Sequence, residues 1–323
     1  MRDMSLDRRA FLKLGLAGTI ARAVKTSAAP PGPPVLVFIH GRDQQGKDPA
    51  ALKAEWIAAL AKGAKSISRT LPAQLEVAFP YYGDKLDELA KRADIPLGAD
   101  IQARGESAVN EDFLSFQAEV AESLRVAAGV TDQQVESEYG PNPKPKGPLN
   151  WEWVQAMLRG LDKYGGGVNE ATLQTFTRDV FLYTRRAGVR DEIDRIVADV
   201  LSLNPTVVVA HSLGTVVAYS VLRNDRRALQ VPLLVTVGSP LGVRAIRDQF
   251  KPLRRPQPVG AWYNAFDPRD VVALYPLDSN NFPITPNVEN AANVNNSTSN
   301  RHGIAGYLDD PGVTKRILDA LGA

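Results

Sequence analysis

The chain has 323 residues and a mass of 35.0 kDa, enough for one large domain or two small ones, and its 44% apolar content suffices for a core without cross-links. It contains no cysteine, which excludes a disulfide scaffold, a thiolate metal site and a cysteine nucleophile. Six basic and two acidic residues fall within the first 29, leaving 32 Lys+Arg against 34 Asp+Glu in the remainder. That balance lacks the concentrated basic surplus of a nucleic-acid binder.

Residues Asp7-Arg8-Arg9-Ala10-Phe11-Leu12-Lys13 set two arginines before an apolar pair and a lysine, and a short apolar run follows over 14–21. This segment resembles the twin-arginine export signal of bacteria. Arg22 and Lys25 come next, then the small-residue stretch Thr26-Ser27-Ala28-Ala29, a candidate cleavage site. The resemblance implies export of a folded protein, periplasmic or secreted, with removal of about the first 29 residues. A basic cytoplasmic tail is the alternative. The apolar run is shorter than the ~20 residues that a membrane-spanning helix needs, and no later run reaches that length.

After the linker Pro30-Pro31-Gly32-Pro33-Pro34, the β-branched apolar run Val35–Ile39 predicts a buried strand. Asp48-Pro49 predicts a helix start, with Asp48 as N-cap and Pro49 in the first turn. Leu52, Trp56 and Leu60 recur on one face, and Gly63 reads as the end of that helix. Further strands are predicted over 75–79, 206–210, 233–237 and 259–265, with a helix over about 212–222. Strands alternating with helices indicate an α/β fold, a parallel sheet covered on both faces.

Between about 84 and 188 the pattern changes. Helical periodicity appears over 111–127, 151–164 and 170–186, separated by breakers such as Gly140-Pro141-Asn142-Pro143-Lys144-Pro145. This reads as a helical insertion folded over the sheet. The tract 280–300 holds eight asparagines and reads as a polar loop.

The strand over 206–210 runs straight into His211-Ser212-Leu213-Gly214, and helical sequence follows at once. A sharp strand-to-helix turn crowds the flanking backbone, so it needs small neighbours, here Ala210 and Gly214. The run Ala-His-Ser-Leu-Gly resembles the Gly-x-Ser-x-Gly nucleophile elbow of α/β-hydrolases, with Ala210 in place of the first glycine. Such a turn lifts the serine oxygen above the carboxyl edge of the sheet. The helix that starts beneath it aims N–H groups and its positive end at developing negative charge.

A serine hydroxyl is a weak nucleophile and needs a neighbouring base. The chain offers three imidazoles, His40, His211 and His302. His211 adjoins Ser212, but adjacent side chains on a tight turn diverge. His40 ends the first strand, where α/β-hydrolases place the oxyanion-hole loop. His302, in Asn300-Arg301-His302-Gly303-Ile304 after the last strand, remains as the candidate base. For the orienting carboxylate, the segment after strand 259–265 offers Asp267 and Asp270, in Asp267-Pro268-Arg269-Asp270-Val271-Val272. The Asp-Val-Val tail is similar to the acid-bearing turn of many lipases and esterases. More loosely, 264–277 resembles a segment of DDHD-type phospholipases, which favours Asp270. Asp267 stays open as the alternative acid; otherwise it is a turn former bonded to local backbone.

The order Ser212, Asp270, His302 is that of the α/β-hydrolase superfamily, and the resemblance covers about 35–39 and 206–308. It implies an α/β-hydrolase fold with a mostly parallel sheet, Ser212 as nucleophile, His302 as general base and Asp270 holding the imidazole. It also implies an oxyanion hole from the backbone N–H of Leu213 and one from the Gly41–Arg42 loop. The expected activity is hydrolysis of carboxylic esters, small-molecule or lipid. Amide or peptide hydrolysis and a non-catalytic ligand-binding scaffold are the alternatives. Trp151, Trp153, Met157, Leu158 and Leu161 either form an exposed apolar lid, which would favour a lipase, or pack the insertion's own core. No metal-ligand cluster, phosphate loop or dinucleotide fingerprint is present, so no cofactor is implied.

Overall fold

The computed structural model describes residues 35–140 and 145–323; the twin-arginine-like segment and the Pro-rich linker lie outside them. Each predicted strand forms: β1 (Val35–Ile39), β2 (Val77–Ala78), β3 (Thr206–His211), β4 (Val231–Val237) and β5 (Val259–Ala265). A further strand, β6 (Glu289–Ala291), arises inside the Asn-rich tract that reads as a loop. Three residues, two of them polar, carry no alternation to detect. Its place comes from pairing with β5 and from Asn290, whose Oδ1 accepts from Asn264 Nδ2 at 3.0 Å and Leu277 N at 2.8 Å.

All pairings are parallel, in the order β2-β1-β3-β4-β5-β6. From β1 the chain steps to one side to make β2, and from β3 it steps away to the other. The carboxyl ends of β1 and β3 therefore flank a topological switch point, where open parallel sheets bind ligands.

The helices are α1 (Pro49–Ser66), α2 (Gly83–Ala93), α3 (Gly98–Arg104), α4 (Glu111–Ala127), α5 (Asp132–Ser137), α6 (Trp151–Tyr164), α7 (Glu170–Arg185) and α8 (Ala187–Ala198), followed by α9 (Leu213–Asn224), α10 (Arg244–Arg247), α11 (Ile304–Leu308) and α12 (Pro311–Leu321). Asp48 caps α1 by accepting from Ala50 N at 2.9 Å. Gly63 does not end that helix, which continues to Ser66. A Cβ there would collide with Thr314 Oγ1 and the Leu308 carbonyl, so this glycine serves close packing against the last two helices.

Alternation along the strands divides the core in two. Leu36, Phe38, Val207 and Val209 face Trp56 and Leu60 of α1 and Ile317 of α12. Val35, Val37, Val208 and Leu234 face α8, α9 and the insertion. Burial of each such side chain contributes about 1.5–3 kcal/mol. A single polar substitution at one of these positions would therefore weaken only one of the two layers.

The helical run extends past 188, because α8 follows α7 directly. Val189, Ile193 and Val197 of α8 are buried and the helix packs on α9, making it the crossover that covers the sheet before β3. Insertion and crossover share one amphipathic period, so the sequence shows no border between them. Met157, Leu158 and Leu161 are buried, and Trp151 and Trp153 pack against the same cluster. Met157, Leu158 and Leu161 therefore fill the insertion's interior, with the two half-buried tryptophans at its margin. Among the described residues, no helix is long and apolar enough to cross a membrane.

Candidate active site

β3 delivers the chain to Ser212, which adopts φ 54° and ψ −128° before α9 begins. A non-glycine residue there costs on the order of 1–3 kcal/mol and persists only where its surroundings enforce it. The surroundings here are tight. Ser212 N donates to the Val237 carbonyl at 3.1 Å, and a Cβ at Gly214 would collide with the carbonyls of Ile39 and His40. The second small residue of the elbow thus lets α9 start against the end of β1. Ser212 is 2% exposed and lines a cavity of about 300 Å³.

His302 meets this serine. Its Nε2 lies 2.8 Å from Ser212 Oγ and its Nδ1 lies 2.8 Å from Asp270 Oδ2. A carboxylate can only accept, so Nδ1 carries the proton and Nε2 is free to accept from the serine hydroxyl. Gly238, at φ 57°, makes room for the ring; a Cβ there would stand 3.1 Å from His302 Cε1.

The two candidate acids have different fates within one short turn. Asp270 is fully buried and begins the 3-10 turn Val271–Ala273, accepting from Val272 N at 3.1 Å through Oδ1. Its Oδ2 receives both His302 and the hydroxyl of Tyr307, the latter at 2.6 Å. Three donors compensate a buried charge that would otherwise be costly. Burial, with Asp270 beside it, raises the Tyr307 pKa far above the usual phenol range, which keeps the hydroxyl a donor.

Asp267 folds back instead. Its oxygens accept from Arg269 N at 2.8 Å, Arg269 Nε at 3.1 Å, Arg269 Nη2 at 3.0 Å and Asn296 N at 2.8 Å. Burial alone would raise its pKa, but these donors outweigh that and lower it. Neither oxygen bonds His302. Asp267 organises the loop that presents Asp270.

The remaining histidines are occupied elsewhere. His40 accepts from Tyr82 N at 3.0 Å through Nε2 and donates from Nδ1 to the Gly41 carbonyl at 2.6 Å. Burial lowers its pKa to about 4, so it is neutral at physiological pH. His211 is engaged with the base's main chain, its Nε2 2.7 Å from the carbonyl of His302. Enclosure, and then the neighbouring His302, hold it well below the usual imidazole range.

The loop after β1 lies directly on the elbow: a Cβ on Gly41 would stand 2.9 Å from Ser212 Cβ. Leu213 is the first residue of α9, so its N–H is one that the helix itself cannot satisfy. Arg42 points its side chain away, donating to Asp179 Oδ2 at 3.1 Å and Thr175 Oγ1 at 2.7 Å on α7. Comparisons with protein-family models, with curated proteins and with solved structures find no match.

The structure therefore brings Ser212, His302 and Asp270 into one hydrogen-bonded chain, with Gly41 and Leu213 beside the serine and Asp267 excluded. Tyr307, Asn296 and the Asp179–Thr175 pair were invisible to sequence reasoning. Tyr307 lies five residues past His302 in apolar sequence, where nothing marks a phenol as a partner for a carboxylate 37 residues earlier. Among the described residues, no cluster of His, Asp and Glu is placed to hold a metal ion.

Proposed function

We propose that this chain is a serine hydrolase of α/β-hydrolase type that cleaves carboxylic esters through an acyl-enzyme. The observation that carries this reading is the unbroken chain Ser212 Oγ–His302 Nε2–Asp270 Oδ2, at 2.8 Å and 2.8 Å, on a strained elbow at the switch point of a parallel sheet. His302 takes the Ser212 proton as Oγ attacks the ester carbonyl and returns it to the leaving alcohol. Asp270, held by Tyr307 and Val272 N, fixes the tautomer and stabilises the imidazolium. Water then repeats the cycle on the acyl-enzyme. The backbone N–H groups of Leu213 and of the 41–42 loop supply the oxyanion hole, where one donor is typically worth ~3 kcal/mol.

The completeness of the triad supports an enzyme over a non-catalytic scaffold. A cavity of about 300 Å³, walled by Leu52, Trp56, Val168, Phe176 and Val272, lies at the lower end of ligand-pocket sizes. With Met157, Leu158 and Leu161 of α6 buried, this supports a compact ester rather than a long-chain lipid. A fluorophosphonate probe followed by a series of acyl esters from acetate to palmitate tests both points. Labelling confined to Ser212 and a rate maximum among the short esters are expected. Labelling at another serine would sink the assignment, and a maximum among the longest chains would restore the lipase reading. The amino-terminal segment supports export of the folded enzyme; uncleaved cytoplasmic protein, unaffected by Arg8→Lys with Arg9→Lys, would count against it.

A further inference from the structure

We propose that His211 is a positioning residue that ties the general base to the nucleophile strand through a hydrogen bond from its Nε2 to the main-chain carbonyl of His302. This role rests on the hydrolase reading above. A carbonyl oxygen only accepts, so at 2.7 Å the facing Nε2 must carry the proton.

The route of the side chain explains why the two neighbours on the elbow diverge usefully. His211 is the last residue of β3 and pairs with Val237, so the sheet fixes its backbone. It shares the sheet face of Val207 and Val209, and its ring meets Trp56 of α1 edge-on at 6.2 Å. From that side it reaches the His302 carbonyl, while both it and Ser212 border the cavity. One dipeptide thus carries the nucleophile and the anchor of its base.

The His302 loop needs an anchor because its other bonds are largely its own. His302 N donates to Asn300 Oδ1 at 3.1 Å, Gly303 N to Thr298 Oγ1 at 2.9 Å, and Asn296 Nδ2 to the Gly303 carbonyl at 2.9 Å. Asn296 and Asn295 bond the Asp267–Arg269 turn beyond β5. These hold the base to the acid's loop. The His211 bond holds it to the serine's strand, so the third side of the triangle is set by a group that takes no part in proton transfer. A neutral imidazole also suits its place: the rings of His211 and His302 lie 4.8 Å apart, where a second positive charge would oppose the imidazolium formed in turnover.

The test uses the full chain, two variants and ¹⁵N-labelled histidine. With only three imidazoles, the spectrum of the wild type should separate one Nε2-protonated neutral ring, His211, from the Nδ1-protonated His40. His211→Leu keeps the bulk and loses the donor, and should lower kcat about ten-fold or more with KM nearly unchanged. His211→Gln places an amide N–H at a similar reach and should recover most of that loss. Three results overturn the proposal: His211 protonated on Nδ1, His211→Leu at wild-type kcat, or a folded His211→Gln no better than His211→Leu. The tautomer measurement needs no variant, so it stands even where His211→Leu fails to fold. A wild-type chain without Ser212-dependent turnover overturns the hydrolase reading and this role together, whereas turnover that survives His211→Leu overturns the role alone.

Discussion

The carboxyl edge of the sheet and the helical insertion between β2 and β3 divide the work of the site unequally. The edge supplies every member of the hydrogen-bonded chain: Ser212 after β3, Asp270 after β5 and His302 after β6. The insertion supplies none of them. It contributes the cavity wall at Val168, Thr172 and Phe176, and it clamps Arg42 through Asp179 and Thr175. It also braces the acid's side of the site, where Tyr275 donates to the Ser123 carbonyl of α4 at 2.6 Å. A parallel sheet aligns strand ends within a few ångströms, so it can place reacting groups; packed helices can shape and stiffen what surrounds them.

If that division holds, damage should be greatest at the sheet edge. Ser212→Ala and His302→Ala should each lower kcat on an activated ester by about 10⁶-fold, since residues that act as a unit fail as a unit. Either variant retaining near wild-type turnover would remove that side chain from the scheme. Asp270→Asn should cost about 10⁴-fold, because the amide favours the wrong imidazole tautomer. Asp267→Asn should leave kcat within about ten-fold and instead lower the melting temperature, since it weakens the ionic bonds to Arg269. Measured side by side, a severe kinetic defect in Asp267→Asn with a mild one in Asp270→Asn would reverse the roles.

Damage in the insertion should be smaller and indirect. Asp179→Asn weakens the hold on Arg42 and should reduce kcat about ten-fold through a displaced oxyanion loop. An unchanged kcat would mean that the loop keeps its geometry without α7. The smallest expected effect is at the seam between the two regions, where Asp194 of α8 accepts from Tyr183 of α7 and from Ser220 of α9 at 3.0 Å. Burial raises its pKa from 3.8 to about 6, so the folded chain binds this proton more tightly than the unfolded one. Its contribution is therefore fully present below pH 3.8 and lost as pH rises through about 6. Relative to Asp194→Asn, the wild type should gain on the order of 1–2 kcal/mol between pH 6.5 and pH 4, allowing for partial exposure. Parallel melting curves for the two chains across that range would refute this.

Much of the sheet was legible because its signals are local. A five-residue β-branched run, a small-Ser-x-small turn and an Asp-Pro cap each act over a few positions, and β1, the elbow and the start of α1 follow them. β6 was not legible because a three-residue edge strand is defined by its partner. Gly63 misled for the same reason: its neighbours are Leu308 and Thr314, far along the chain. The border between insertion and crossover left no mark either, since α7 and α8 both need one apolar face.

By itself the sequence determined which residue types were available for chemistry: one serine in an elbow, three histidines and two aspartates on one loop. That list left His302 as the candidate base and both Asp267 and Asp270 as candidate acids. Only the tertiary structure separated them, because the difference lies in which donors arrive from elsewhere. Arg269 and Asn296 saturate Asp267, while Tyr307 and His302 converge on Asp270. The same holds for His211, whose partner is a carbonyl 91 residues away. Local sequence sets backbone turns and side-chain chemistry; the direction in which a buried polar group points is decided by the unsatisfied donors and acceptors that the fold brings to it.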